Sequence, residues 1–385
     1  MMLALLLGGC GGHLPPTPAS YESSREAQLL TEILGGPDDR INPVDPLILD
    51  EGIRRYIDAH VDRTWSNRAK IVALRKMMFA PDDLNIQYDS TRTQTAIETF
   101  QSRRGNCLSM TNLYVAAARY LKVDANYQVV ALNPTWEKTG AVMIRNEHIN
   151  AIGRLSGIGK YVVDFRPNIT FRDKDTQTIS DREAVALYYT NLGAESIVAG
   201  EPDAAVRYIR SALAITPESA DAWNNMGAAA RRLGRFEQAE FSYQRAVHLD
   251  PYHYTAMNNL GRLYRGRGDL GREKHYLDRV KRYRAKHPYY LYFEARRAYQ
   301  RNDLLAARKY LKRAIYRKRD DPEFYVALSN VYRQLGDQRR SDINMRKAEE
   351  YRKAVPQYDH EQEMDLLVDG PIMSIQYKVT RIPDG

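Results

Sequence analysis

A chain of 385 residues has room for two or three domains, each able to bury its own core. Its apolar share of 43% and charged share of 27% are those of an ordinary folded protein, and no apolar run reaches the length of about 18 residues that a spanning helix needs. The formal charge of +9 favours acidic partners but does not by itself choose among nucleic acid, anionic lipid and acidic polymers.

The chain opens with an apolar segment that closes on Leu7-Gly8-Gly9-Cys10. These residues are similar to a bacterial lipobox, although no Lys or Arg precedes the apolar run. The resemblance implies a lipoprotein signal segment over 1–10, with Cys10 as the lipidated residue. Residues 11–24, rich in Gly, Pro, Ser and Thr, then read as a flexible tether. Gly11 stands where lipoproteins kept at the inner membrane often carry Asp, so the resemblance implies an outer-membrane anchor facing the periplasm of a bacterial cell envelope. With Cys10 acylated, Cys107 has no disulfide partner within the chain.

Residues 25–80 are helical in pattern. Ile53, Tyr56, Ile57, His60 and Val61 recur at helical spacing, as do Ile71, Leu74, Met77 and Met78. A helix is expected over Leu108 to Leu121. Strands are expected at Tyr127 to Leu132, Ala141 to Ile152 and Tyr161 to Phe165, which are rich in β-branched and aromatic residues. A helix followed by successive hairpin-length strands predicts an α+β domain spanning about 25–180.

From about residue 185 the pattern becomes helix after helix. Gly200, Gly234, Gly268, Asn302 and Gly336 are spaced by 34 residues, as are Ala212, Ala246, Val280, Ala314 and Ala348. The fullest unit runs through Trp223, Gly227, Leu233-Gly234, Phe236, Ala239, Tyr243, Ala246 and Pro251. It is similar to the tetratricopeptide consensus, which implies five helical hairpins over 185–355, an all-α solenoid. Small residues would let paired helices approach closely, and the glycine would serve the turn. Residues 356–385 form a C-terminal tail in which 371–379 read as a strand or as loose chain.

Chemistry concentrates at Arg104-Gly105-Asn106-Cys107-Leu108-Ser109. Gly105 and Asn106 suit a tight turn into a helix, and Asn106 or Gly105 can cap it. A thiol in the first turn feels the positive end of the helix dipole, and the unpaired N–H groups there can hold a developing oxyanion. This segment, the helix that ends Ala116-Ala117-Ala118-Arg119-Tyr120-Leu121 and the strand Tyr127-Gln128-Val129-Val130 resemble the nucleophile segment of the transglutaminase-like superfamily, which has a papain-like arrangement of Cys, His and Asp. The resemblance covers roughly 80–170. It implies a catalytic triad of Cys107, His148 in Glu147-His148-Ile149-Asn150, and Asp164 in Val162-Val163-Asp164-Phe165. Asn150 stands where the family often has an aromatic. Gln101, six residues before Cys107, is the oxyanion candidate that papain-like spacing implies. The strands support the set independently. His148 and Asn150 share one strand face, Val162 and Asp164 share another, and a carboxylate among Val, Val and Phe needs a partner such as imidazole.

The function expected is therefore that of a transglutaminase-like cysteine enzyme acting on protein or peptide amide bonds, either a peptidase or amidase or an acyltransferase. The repeats would bind the substrate or a partner protein. The alternative is a non-catalytic, lipid-anchored scaffold. No Cys or His cluster has metal-ligand spacing and no phosphate loop occurs, so neither a metal nor any other cofactor is expected. Nucleic acid is not expected as a partner. The run Arg296 to Arg319, with ten basic residues and the single acid Asp303, reads first as a solvated helix face and second as a site for an acidic ligand. The tyrosines around it read as packing positions between helices.

Overall fold

The computed structural model describes residues 18–41, 43–139, 142–156, 159–165, 176–354 and 372–376. Cys10 and the proposed signal segment lie outside the described residues. Among the described residues the first α-helices are α1 (Pro18–Leu34), α2 (Glu51–His60) and α3 (Asn67–Phe79). The first corrects the expectation of a loose tether reaching residue 24. Leu29 and Ile33 of α1 are buried at helical spacing, and Arg25 donates from Nε to Glu237 Oε1 at 3.0 Å, so this segment is fastened to the repeat array.

Next come the short strand β1 (Gln87–Tyr88), α4 (Ala96–Ser102), β2 (Arg104–Gly105) and α5 (Cys107–Tyr120). Helix α5 is the centre of the domain, buried continuously from Cys107 to Ala118. Its alanines 116–118 let strands pass close by, and Asn112 Oδ1 accepts a hydrogen bond from Tyr127 Oη at 2.7 Å. At its far end Arg119 binds the carbonyl of Ala125 and the carboxylate of Asp181, tying α5 to the first helix of the array.

Against α5 lies a sheet of β3 (Asn126–Thr139), β4 (Val142–Leu155), β5 (Gly159–Asp164), β6 (Thr176–Ile179) and β7 (Ile372–Gln376), in the order β6-β3-β4-β5-β7. Neighbours are antiparallel except β5 and β7, which run parallel. Val130 of β3 faces His148 of β4, and Ala151 of β4 faces Val163 of β5. The expected α+β domain is thus present, with strands longer than the apolar clusters alone indicate and with β6 added at one edge. Thr176–Ile179 alternates without a buried apolar face, so it carries no strand signal.

Among the described residues ten helices follow: α6 (Asp181–Ala199), α7 (Pro202–Ile215), α8 (Ala220–Arg232), α9 (Phe236–Leu249), α10 (Tyr254–Gly266), α11 (Leu270–Arg284), α12 (Pro288–Gln300), α13 (Leu304–Arg317), α14 (Pro322–Gln334) and α15 (Gln338–Ala354). They pair successively into five hairpins. The glycine column does what the spacing implied. Gly200, Gly234, Gly268 and Gly336 have φ between +73° and +84°, and Asn302 has φ +60°. That left-handed residue closes each first helix, so the next amide reaches back along the helix, as in Arg235 N to Ala230 O at 2.9 Å and Asp337 N to Tyr332 O at 2.9 Å. The small-residue column is equally plain: Ala212, Ala246, Ala314 and Ala348 are fully buried. At Gly227 an added Cβ would come within 2.6 Å of the Tyr243 ring, so glycine is what allows α8 and α9 to meet.

The α+β domain and the array share one hydrophobic core, which runs from Ile33 through the α5 residues and Tyr188, Tyr189 and Trp223 to Ala256. Tyr189 Oη also accepts from Val44 N at 2.7 Å. No helix among the described residues is long and apolar enough to cross a membrane.

Candidate active site

The turn into α5 is built by side chains from three directions. Parallel pairing of Tyr88 with Gly105 sets the entry, and Asn106 N donates to Arg92 O at 3.2 Å. Asn106 is the cap: its Oδ1 accepts from Ser109 N at 3.0 Å and its Nδ2 donates to Thr93 Oγ1 at 2.7 Å. Thr93 N in turn donates to Glu195 Oε1 of α6 at 2.9 Å, so the array buttresses the cap from behind. Burial, with Asp89 nearby, pushes the Glu195 carboxyl up to about 7. Cys107 is thereby fixed as the first residue of α5, with 6% of its surface exposed. The cap engages the Ser109 amide and the first helical bond engages Met110, so the amides of Cys107 and Leu108 belong to the open first turn.

Strands β4 and β5 bring the other two predicted residues together. His148 Nε2 lies 2.6 Å from Asp164 Oδ2, and both side chains are buried. Asn150 Nδ2 donates to the same carboxylate oxygen at 3.1 Å. With Nε2 committed to Asp164, the other ring nitrogen, Nδ1, is buried without a hydrogen bond of ordinary geometry and is the atom left for the thiol. Desolvation opposes charge on the imidazole. The Asp164 carboxylate overcomes it by charge and hydrogen bonding, and hydrogen bonding with Cys107 adds to the effect, raising His148 to about 10. The ring is therefore an imidazolium at neutral pH, seated between a carboxylate and a sulfur. Asn150, which the sequence places on the His148 face without a role, is the second donor to Asp164.

Gln101 does not join this group. It is exposed near the end of α4, outside the residues that line the site, because β2 intervenes and carries the chain away before α5 begins. The donors that do stand beside Cys107 are the backbone amides at the start of α5. Among the described residues no group of three or more His, Cys, Asp and Glu could hold a metal ion.

Cys107 and His148 open into a cleft of about 1570 Å³. It extends from Tyr88 and Thr93 across the first helices of successive repeats as far as Arg297 on α12. Of the basic run Arg296 to Arg319, only Arg297 is among the residues lining it.

Two segments match models of the tetratricopeptide repeat, residues 220–253 and residues 322–354. A tetratricopeptide repeat-containing protein, trd-1, of Caenorhabditis elegans is 28% identical over 128 residues, which are 33% of this chain and 16% of that protein. The matched part is thus about a sixth of the relative's length. Among solved structures, MamA from Desulfovibrio magneticus RS-1 is 16% identical with a TM-score of 0.26, covering 46% of this chain and 99% of that one. A thermophilic tetratricopeptide protein of Thermus thermophilus is 21% identical with a TM-score of 0.25, covering 43% of this chain and 91% of that one. The C-terminal half thus contains tetratricopeptide repeats, an architecture that implies protein–protein interaction.

Proposed function

We propose that the chain is a transglutaminase-like cysteine enzyme acting on amide bonds of a protein or peptide, with Cys107 as nucleophile, His148 as acid and base, and Asp164 as the residue that orients and charges the imidazole. The observation that carries this reading is the use of His148 Nε2 by Asp164, which leaves Nδ1 for Cys107, the one thiol lining the cleft among the described residues. The Cys107 sulfur adds to the substrate carbonyl carbon and ends with its proton on His148. The oxyanion forms beside the amides that begin α5, and the C–N bond breaks as His148 gives its proton to the leaving nitrogen. A thioester on Cys107 remains. Water or an amine then attacks it while His148 takes the incoming proton, and the thiolate is released.

Lipid on Cys10 would hold this enzyme at the bacterial envelope, in the outer membrane on its periplasmic side. The repeats favour a second reading from a different class, a tethered scaffold whose cysteine domain only binds. Proteomic comparison of cells carrying the wild type with cells carrying Cys107→Ala separates the two. New cleavages or new isopeptide crosslinks in the wild type alone are expected. Identical proteomes with unchanged partner capture would give the chain to the scaffold.

A further inference from the structure

The turn inside each repeat hairpin lies on one edge of the array, and that edge carries apolar tips. Phe236 and Leu270 are the first residues of α9 and α11, Leu305 is the second of α13, and Leu335 closes α14. They are 50%, 71%, 62% and 36% exposed. Single exposed apolar side chains need no explanation, but the repeat sets these four in one row. The hairpins behind the row are strongly basic. Residues 254–354 hold 27 Lys and Arg against 12 Asp and Glu, while all other residues hold 30 against 36. The positive charge of the chain thus belongs to its last three hairpins. Arg265 pairs there with Glu273 and Arg272 with Asp269, both at 2.6 Å. Arg301, Arg333 and Arg339, at the turns that hold Leu305 and Leu335, are exposed and form no ion pair among the described residues.

Helix α1 brings the start of the chain to the same edge. Arg210 of α7 donates to the carbonyl of Ile33 at 2.8 Å, and Arg25 donates to Glu237 in the first turn of α9, next to Phe236. Traced backwards, α1 therefore passes from α7 to the apolar row, and Pro18 lies two helical turns before Arg25, about 10 Å. Eight residues separate Cys10 from Pro18, a reach of at most about 30 Å, and the apolar run Leu3 to Leu7 precedes them. A row of apolar tips, unpaired guanidinium groups and an apolar leader at one edge match one kind of surface. Anionic phospholipid offers phosphate to the arginines and acyl chain to the leucines, whereas a polyanion in water offers only the first.

We infer that this edge of the array lies on an anionic phospholipid surface. Phe236, Leu270, Leu305 and Leu335 enter the headgroup layer, and Arg301, Arg333 and Arg339 meet the lipid phosphates. Lipid on Cys10 would add a second attachment at the same edge. Only that addition rests on the anchor reading above, and the contact made by the array does not. Phe236 and Arg232 also line the cleft that reaches Cys107, which places that rim of the cleft against the bilayer.

The test uses the full chain with Cys10→Ser, so that no lipid is attached, and with Leu5→Ser, Leu6→Ser and Leu7→Ser, so that the apolar start cannot insert. Flotation is measured with vesicles of phosphatidylcholine and with vesicles in which one lipid in four is phosphatidylglycerol. At low salt the anionic vesicles are expected to bind at least tenfold more tightly, an advantage that shrinks as salt is added. Arg301→Gln, Arg333→Gln and Arg339→Gln together should remove most of it, since one arginine near an anionic surface is worth about fivefold. Leu270→Ser with Leu305→Ser should weaken binding to the anionic vesicles about tenfold, with or without salt. Tyr252→Ser with Tyr316→Ser, equally exposed but at the opposite edge, should change nothing. Equal binding of the two vesicles, or binding indifferent to the arginine and leucine sets, overturns the inference. Tighter binding to single-stranded DNA than to the anionic vesicles, lost with the arginines and indifferent to the leucines, would assign the face to nucleic acid and overturn it. A dimer that forms without vesicles and dissolves on Leu270→Ser with Leu305→Ser would assign the row to a second copy, and would also overturn it. Vesicle binding through this edge by a chain that takes up no labelled palmitate at Cys10 in bacterial cells fails the anchor reading alone.

Discussion

Replacing His148 by alanine is expected to slow alkylation of Cys107 by iodoacetamide at pH 6.5 by about 10–100-fold. A free cysteine is only about 1% thiolate at that pH. A sulfur held as thiolate by a neighbouring cation gives up part of this advantage, because a stabilised thiolate is a weaker nucleophile. The cation here is the His148 imidazolium, which Asp164 and the sulfur keep protonated up to about 10. The effect should shrink as pH rises toward 9, where any exposed thiol ionises without help. Second-order rate constants measured at pH 6.5 and pH 9 on the wild type and on His148→Ala check this. Identical rates at pH 6.5 would show that the ring does nothing for the sulfur.

Asp164→Asn should change how stability depends on pH more than any substitution on the repeats. In the wild type the His148 pKa is about 10, against an ordinary value of 6.5. The stability that this charge contributes is complete below pH 6.5 and is lost as pH rises from there through 10. The size is about 3–5 kcal/mol at roughly 1.4 kcal/mol per unit. Asparagine is nearly isosteric but carries no charge, so the buried ring would become neutral and its pKa would fall below 6.5. The variant should then be less stable than the wild type by about that amount at pH 6, should change little between pH 7 and pH 10, and should meet the wild type near pH 10. Urea unfolding at pH 6, 7.5, 9 and 10 gives the two curves. Parallel curves would show that Asp164 does not hold the proton on His148.

The repeat array is legible in the sequence to within a few residues, because its determinants are local and periodic. A left-handed turn residue every 34 positions and a buried small residue every 34 positions are each demanded by hairpin geometry, and the structure uses both columns as the spacing implies. Helix α5 is readable for a related reason: Asn106 caps it and Cys107 begins it. The strand pair that carries His148 and Asp164 is readable from alternation, which places polar residues on an otherwise apolar face only where they have partners.

Other features cannot be read in this way. Gln101 follows from counting residues back from the cysteine, and β2 makes that count meaningless in space. Glu195 supports the cap of α5 from 88 residues beyond Cys107 along the chain, through a contact that only the shared core creates. Helix α1 is disguised by its Ser-rich start, and its burial depends on the repeat helices it meets. The cleft itself belongs to neither domain alone.

A titration of the imidazole resonances by nuclear magnetic resonance, with His148 assigned among the eight histidines by its alanine variant, tests the central claim most directly. The account predicts that His148 stays protonated past pH 9 in the wild type, and that its pKa falls on Cys107→Ala and falls further on Asp164→Asn. A ring that titrates near 6.5 and ignores both substitutions would contradict it.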